Sequence, residues 1–268
     1  MFTAKWLKAH ITRRVKIRIG VMNSFFSVNN IHPFQLFSTS HLVALATLAT
    51  ACVALFLARH RLRGEKANRV YRLTLAIIIL LLSVSLEVWN VAVGIWSVTS
   101  SLPMHLCGIS LILSAVMLIK KNDVIFEITY VWGMGGALQA LLTPNLWYSF
   151  PHFIFFQFFL AHGSIILACL SMIFLEGSRL RPGSLKRVVL ITNAYALFIA
   201  AFNYCTGSNY LFLCRKPGLP SLLDYLGPWP WYILSLELIL FLIFFLCYLP
   251  FHLHDLLNKN KNGRNYPA

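Results

Sequence analysis

At 268 residues the chain is 58% hydrophobic and only 12% charged, with a mean hydropathy of +0.70. That is too little charge to cover the surface of a soluble domain. The net charge of +15 does not indicate nucleic acid, because most Lys and Arg residues sit in short loops beside apolar stretches, where no basic groove with stacking aromatics can form.

Residues 1–23 read as a basic N-terminal extension carrying Lys5, Lys8, Arg13, Arg14, Lys16 and Arg18. A surface-lying helix, a disordered tail and an extension upstream of a true start at Met22 all fit it. The last is favoured, because Met22 opens a sequence that runs directly into the first apolar stretch. No apolar run ahead of a small-residue cleavage site marks a signal peptide. Seven stretches of bilayer-spanning length then follow, near 41–59, 73–96, 103–119, 125–142, 153–175, 187–205 and 231–250. About 20 apolar residues cross a hydrocarbon core of roughly 30 Å as a helix. The predicted fold is therefore an all-α, multi-pass transmembrane bundle of seven spans over residues 24–252, followed by a tail at 253–268. The connecting segments are too short and irregular to hold a second core.

Lys and Arg alternate from loop to loop. The segments after the first, third and fifth spans and the C-terminal tail hold fifteen of them, whereas the loops 97–102, 143–152 and 206–230 hold only Arg215 and Lys216. The positive-inside rule then predicts a cytoplasmic C-terminus and an outer N-terminus. The basic residues of 1–21 lie more than 20 residues ahead of the first span, where the rule weakens. Trp89 and Trp96, Trp147 and Tyr148, and Trp229, Trp231 and Tyr232 fit an outer aromatic belt.

Within the spans, polar residues crowd toward the outer end. Glu87 and Asn90 fall in the second span, His105 and Cys107 open the third after Pro103, and Gln139 ends the fourth. His152, Gln157 and His162 step down the fifth, Asn203 closes the sixth, and Glu237 lies two turns into the seventh. Glu127 sits near Lys120 and Lys121 at the other end, as a surface anchor would. Ionisable residues in lipid are costly and mark a functional interior or a mutual pair. Taken singly, each is equally well a hydrogen-bond partner between helices; taken together at one depth, they predict a polar cavity opening outward.

Six cysteines contain no Cys-x-x-Cys pair, and no metal or other cofactor motif is present. Cys52, Cys169 and Cys247 lie among Ala, Leu and Phe as small apolar residues do. Cys107 stands apart: at a helix start, unpaired N–H groups and the helix dipole favour a thiolate. His105, two residues away, points to another face, so His162 is the better candidate general base. A Cys–His pair suffices for acyl transfer through a thioester.

The segments PFQLFSTSHL (33–42), LPMHLCGISLIL (102–113), WGMGGALQALLTPNL (132–146), FPHFIFFQFFLAHG (150–163), TNAYALF (192–198), NYLFLCRKP (209–217) and SLLDYLGPWPWYILSLE (221–237) resemble the YwaF-like family of bacterial integral membrane proteins. That family is related to a eukaryotic multi-pass protein regarded as a cysteine-dependent phospholipid acyltransferase. The resemblance covers about residues 24–250 and implies a reactive cysteine at Cys107, in His105-Leu106-Cys107, with His162 in an Ala-His-Gly segment. Residues 1–21 have no counterpart in the family, and Cys205 departs from its pattern.

The expected protein is a seven-helix enzyme of the cell membrane that transfers or hydrolyses acyl groups on membrane lipids. Cys107 is its nucleophile and His162 its base. Glu87 or Glu237 orients the imidazole, and Asn203, Gln139 or backbone amides near Cys107 stabilise an oxyanion. The alternative is a non-enzymatic transporter or receptor for a small polar or lipid ligand, using the same cavity. No protein partner is implied.

Overall fold

A computed structural model of the chain describes residues 24–28, 33–217 and 222–263, so the basic stretch 1–21 lies outside the described residues. Every regular element among the described residues is helical. The seven main helices are α1 (Thr39–Leu62), α2 (Glu65–Ala92), α3 (Leu106–Lys120), α4 (Asp123–Leu142), α5 (Phe153–Ser171, extended by a π-helical turn at Met172–Glu176), α6 (Ser184–Thr206) and α7 (Trp231–Gly263). Short 3-10 turns lie at Tyr210–Phe212 and Leu222–Tyr225.

All the main helices except α3 are long and apolar enough to cross a membrane, six in number. The remaining predicted span, the third in chain order at 103–119, is a helix of 15 residues, which rises only about 22 Å. Pro103 lies outside it. Ser38 and Asn122 cap α1 and α4 with their side chains, and His152 does the same for α5. The basic segment predicted as a loop after the first span is mostly helix, because α1 runs to Leu62 and α2 starts at Glu65. Good helix formers carry both helices beyond their apolar windows, and the long Arg side chains reach polar surroundings from there.

α4 and α5 are central: 56% of their most apolar windows is buried, against 11% for α1 and α7. α3 packs against α2, α4 and α5, while α6 and α7 both lean on α4. The approach is close because α4 presents glycine to three neighbours. A Cβ on Gly133 would lie 2.6 Å from Ile165 of α5, one on Gly135 2.7 Å from Ile243 of α7, and one on Gly136 3.3 Å from the Cys107 sulfur of α3. Small residues at such contacts are how helices pack tightly in lipid.

The basic end of the bundle is stitched by ion pairs. Glu176 sits between Arg72 at 3.3 Å and Lys121 at 2.9 Å, Arg181 meets Asp123 at 3.2 Å, and Arg179 pairs with Asp255. The aspartate holds the Arg179 guanidinium above its ordinary range. Glu127 is not a surface anchor. It is buried and grips Arg187 through both oxygens, at 2.6 and 2.7 Å. The chain turn after α5 brings Arg187 over it, whereas Lys121 is held by Glu176.

Gly133→Ala overpacks the α4–α5 contact and is expected to destabilise by about 1–3 kcal/mol. Gly64→Ala, where the nearest atom is 3.7 Å away, changes stability by less than about 1 kcal/mol. Melting in detergent tests the pair, and equal losses at both sites contradict the assignment.

Candidate functional site

The start of α3 is shaped by glycine and proline. A Cβ on Gly108 would lie 2.9 Å from the Pro103 Cα, so the turn at 102–105 folds tightly across the first helical turn. Tyr195 of α6 donates to the Met104 carbonyl at 2.9 Å and fixes that turn from outside. His105 is the N-cap residue, which puts Cys107 in the first turn of α3. The thiol is half-buried against Gly136, and among the described residues no hydrogen bond reaches it. The dipole of α3 therefore acts on a thiol with little water around it.

His162 lies one turn before Ile165 and two before Cys169, both of which face Gly133 of α4. The helical repeat places it on the same face of α5, one turn farther from the basic end, at about the level of Gly136 and hence of Cys107. Its Nδ1 meets the Phe158 carbonyl at 2.8 Å, and its ring packs on Phe158. A carbonyl only accepts, so Nδ1 carries the proton and Nε2 keeps its lone pair.

The carboxylates are engaged elsewhere. Glu87 accepts from Trp96 Nε1 at 2.8 Å, and Glu237 accepts from Asn193 of α6 at 3.2 Å. The bond that orients the imidazole comes from the helix backbone instead. Gln139 is exposed and bonds Thr143 on its own helix at 3.3 Å. Asn203 is buried and fully committed. Its oxygen accepts from Ser208 at 2.7 Å and from Tyr210 N–H at 2.9 Å, and its amide donates to the Tyr210 carbonyl at 2.9 Å. His105 accepts weakly from Leu211 N–H at 3.4 Å and packs on Tyr210 and Phe212. His152 stacks on Tyr148, 4.1 Å between centroids. Burial pushes its imidazole below the ordinary range, opposed in part by a backbone hydrogen bond at Ser27.

Two residues that sequence reasoning passed over organise this end. The Tyr210 hydroxyl accepts from Leu102 N–H at 3.0 Å and donates to the Val98 carbonyl at 2.8 Å, tying two loops together. His41 is fully buried: Nδ1 accepts from Phe37 N–H at 3.1 Å, so Nε2 donates to the Leu141 carbonyl at 2.8 Å. The bonds to Leu102, Val98 and Leu141 have no local sequence signal, since each joins residues about a hundred apart.

Asn203→Leu removes all three bonds to the 208–210 turn. The expected loss is about 2–3 kcal/mol, with faster tryptic cleavage after Arg215, since Pro217 protects the bond after Lys216. Unchanged cleavage would show that the turn is held by other means.

A sequence model of the TMEM164 family matches residues 36–248 of the chain. No curated protein and no solved structure matches it.

Proposed function

As a member of the TMEM164 family, the chain is a multi-pass membrane protein, and from that premise we propose that it transfers or hydrolyses acyl groups on lipids of the cell membrane, with Cys107 as nucleophile and His162 as base. The observation that carries this reading is the seating of the Cys107 thiol in the first turn of α3, against Gly136; the helical repeat of α5 supports a similar depth for His162. The Phe158 carbonyl presets the tautomer that a base requires.

In the first half-reaction His162 Nε2 takes the thiol proton and the sulfur attacks the ester carbonyl carbon. The C–O bond to the lipid alcohol breaks, and the imidazolium returns its proton to that alcohol. In the second, another alcohol or water attacks the thioester, His162 relays its proton, and the C–S bond breaks to restore the thiol. With Asn203 committed and Gln139 exposed, the donors suited to the oxyanion are the N–H groups of Leu106, Cys107 and Gly108, which precede the helical hydrogen-bond ladder. No cofactor enters.

The same reading makes α3 a seventh crossing, completed by the turn at 102–105, with the N-terminus outside and the C-terminus cytoplasmic. The distribution of Lys and Arg supports it, as does the start of α1 near the end of α4 while α7 ends near Arg179. Cysteines introduced in 143–152 should react with membrane-impermeant thiol reagents on intact cells, and those in 176–187 should not. The reverse pattern inverts the topology.

Acyl transfer is tested on full-length protein in nanodiscs with a long-chain α-halo acyl probe. Cys107 should carry the adduct, Cys107→Ala should lose it together with any acyl transfer, and His162→Ala should slow it by about 10²–10⁴. Cys205 and Cys214, exposed at the same end, serve as internal controls. Adducts confined to Cys214, or full activity in Cys107→Ala, would refute the nucleophile. Saturable lipid binding with no adduct on Cys107 would favour the transporter or receptor.

A further inference from the structure

Above the start of α3, at the outer end, lies a crevice of about 300 Å³ lined by Thr99, Ser100, His105, Ser208, Asn209 and Arg215, among others. Its walls are built rather than incidental. Asn203 grips Ser208 and Tyr210, and Tyr210 ties the 98–102 loop to them. The Asn209 side chain accepts from the N–H groups of Cys214 and Arg215, both at 3.1 Å, and donates to the Arg215 carbonyl at 2.8 Å. Trp229 Nε1 donates to the Leu213 carbonyl at 3.0 Å, and the Tyr232 hydroxyl to the Phe212 carbonyl. Arg215 is therefore presented from a clamped turn.

The chemistry of the lining is one-sided. Arg215 and Lys216 are the two cations of the outer loops. Lys216 reaches the Asp224 carbonyl at 3.4 Å and lies over the Tyr232 ring. Among the described residues no carboxylate pairs with Arg215, and its guanidinium has no acceptor. Glu87, which acts electrostatically on Tyr210, is held by Trp96. His105 takes the Leu211 N–H on Nδ1, which leaves Nε2–H as a donor. The Ser100 hydroxyl is likewise uncommitted. Three donors and one full positive charge, without an acid among the lining residues, suit an oxyanion with several acceptor oxygens. A guanidinium fork matches phosphate in particular.

We propose that this crevice is a binding site for a phosphate group, with Arg215, His105 and Ser100 as its donors. The group is free phosphate or the phosphate of a lipid headgroup, and the site needs no nucleophile. It therefore stands or falls separately from acyl transfer at Cys107.

Full-length protein in maltoside is titrated calorimetrically with inorganic phosphate, with dihexanoyl phosphatidylglycerol and with dihexanoylglycerol, and with acetate at matched ionic strength. Saturable binding of a phosphate-bearing probe is expected, weakened about tenfold or more by Arg215→Gln and unchanged by Lys216→Gln and Cys107→Ala. His105→Ala should weaken it too; Arg215→Lys should restore part of what Arg215→Gln loses. Binding of inorganic phosphate, alone or with the lipid, makes the free anion sufficient; binding of the phosphatidylglycerol alone makes the headgroup the ligand. The proposal is overturned if neither phosphate probe binds, if Arg215→Gln binds as the parent does, or if dihexanoylglycerol or acetate binds as tightly as the phosphate probes.

Discussion

Helices surrounded by lipid gain nothing from expelling water between them, so short-range packing must hold them together. In this bundle that constraint falls on α4. Gly133, Gly135 and Gly136 lie within one turn of it and face α5, α7 and α3 in turn. Successive helical residues are about 100° apart, so three glycines in four positions open three sides of a single helix. The neighbours on those sides supply Ile165, Ile243 and Cys107. The outer helices α6 and α7 join the bundle mainly through α4.

The polar groups follow from the same solvent. With no water in the hydrocarbon, a charge needs a partner or a route to the surface. At the basic end Asp123, Glu127, Glu176 and Asp255 each meet a cation, and the π-helical turn that closes α5 ends on Glu176. At the opposite end the work is done by neutral groups, with Asn203 and Tyr210 binding the loops through five hydrogen bonds. One end is thus ionic and cationic in excess, and the other neutral apart from a few separated charges.

The position of Cys107 is a by-product of that packing. Gly108 admits Pro103, Gly136 admits the thiol, and the packing of α4 on α5 carries His162 to the same level. The imidazole is set by the backbone of its own helix, which frees Glu87 and Glu237 to moor Trp96 and to link α6 with α7 through Asn193. A base oriented by a backbone carbonyl lacks the neighbouring negative charge that a carboxylate would give its imidazolium. Under the proposed acyl transfer, stabilisation would come from the surroundings of the transition state more than from a charged triad.

By itself the sequence determined the all-helical, multi-pass class, six of the seven long apolar stretches and the end that carries the basic residues, and it singled out Cys107 as a candidate. Each rests on local composition: run length against bilayer thickness, Lys and Arg counts, and the Pro-x-His-Leu-Cys-Gly spacing. What each polar side chain touches was decided only by the tertiary structure. Glu127 found Arg187 rather than its near neighbours in sequence, Asn203 was spent on a loop, and Gln139 turned outward. The short length of α3 was hidden as well, because its apolar run begins in a turn that folds back on Gly108. In all these cases the deciding partner lay across the bundle or in an irregular turn, and hydropathy along the chain carries no information about which face of one helix meets which face of another.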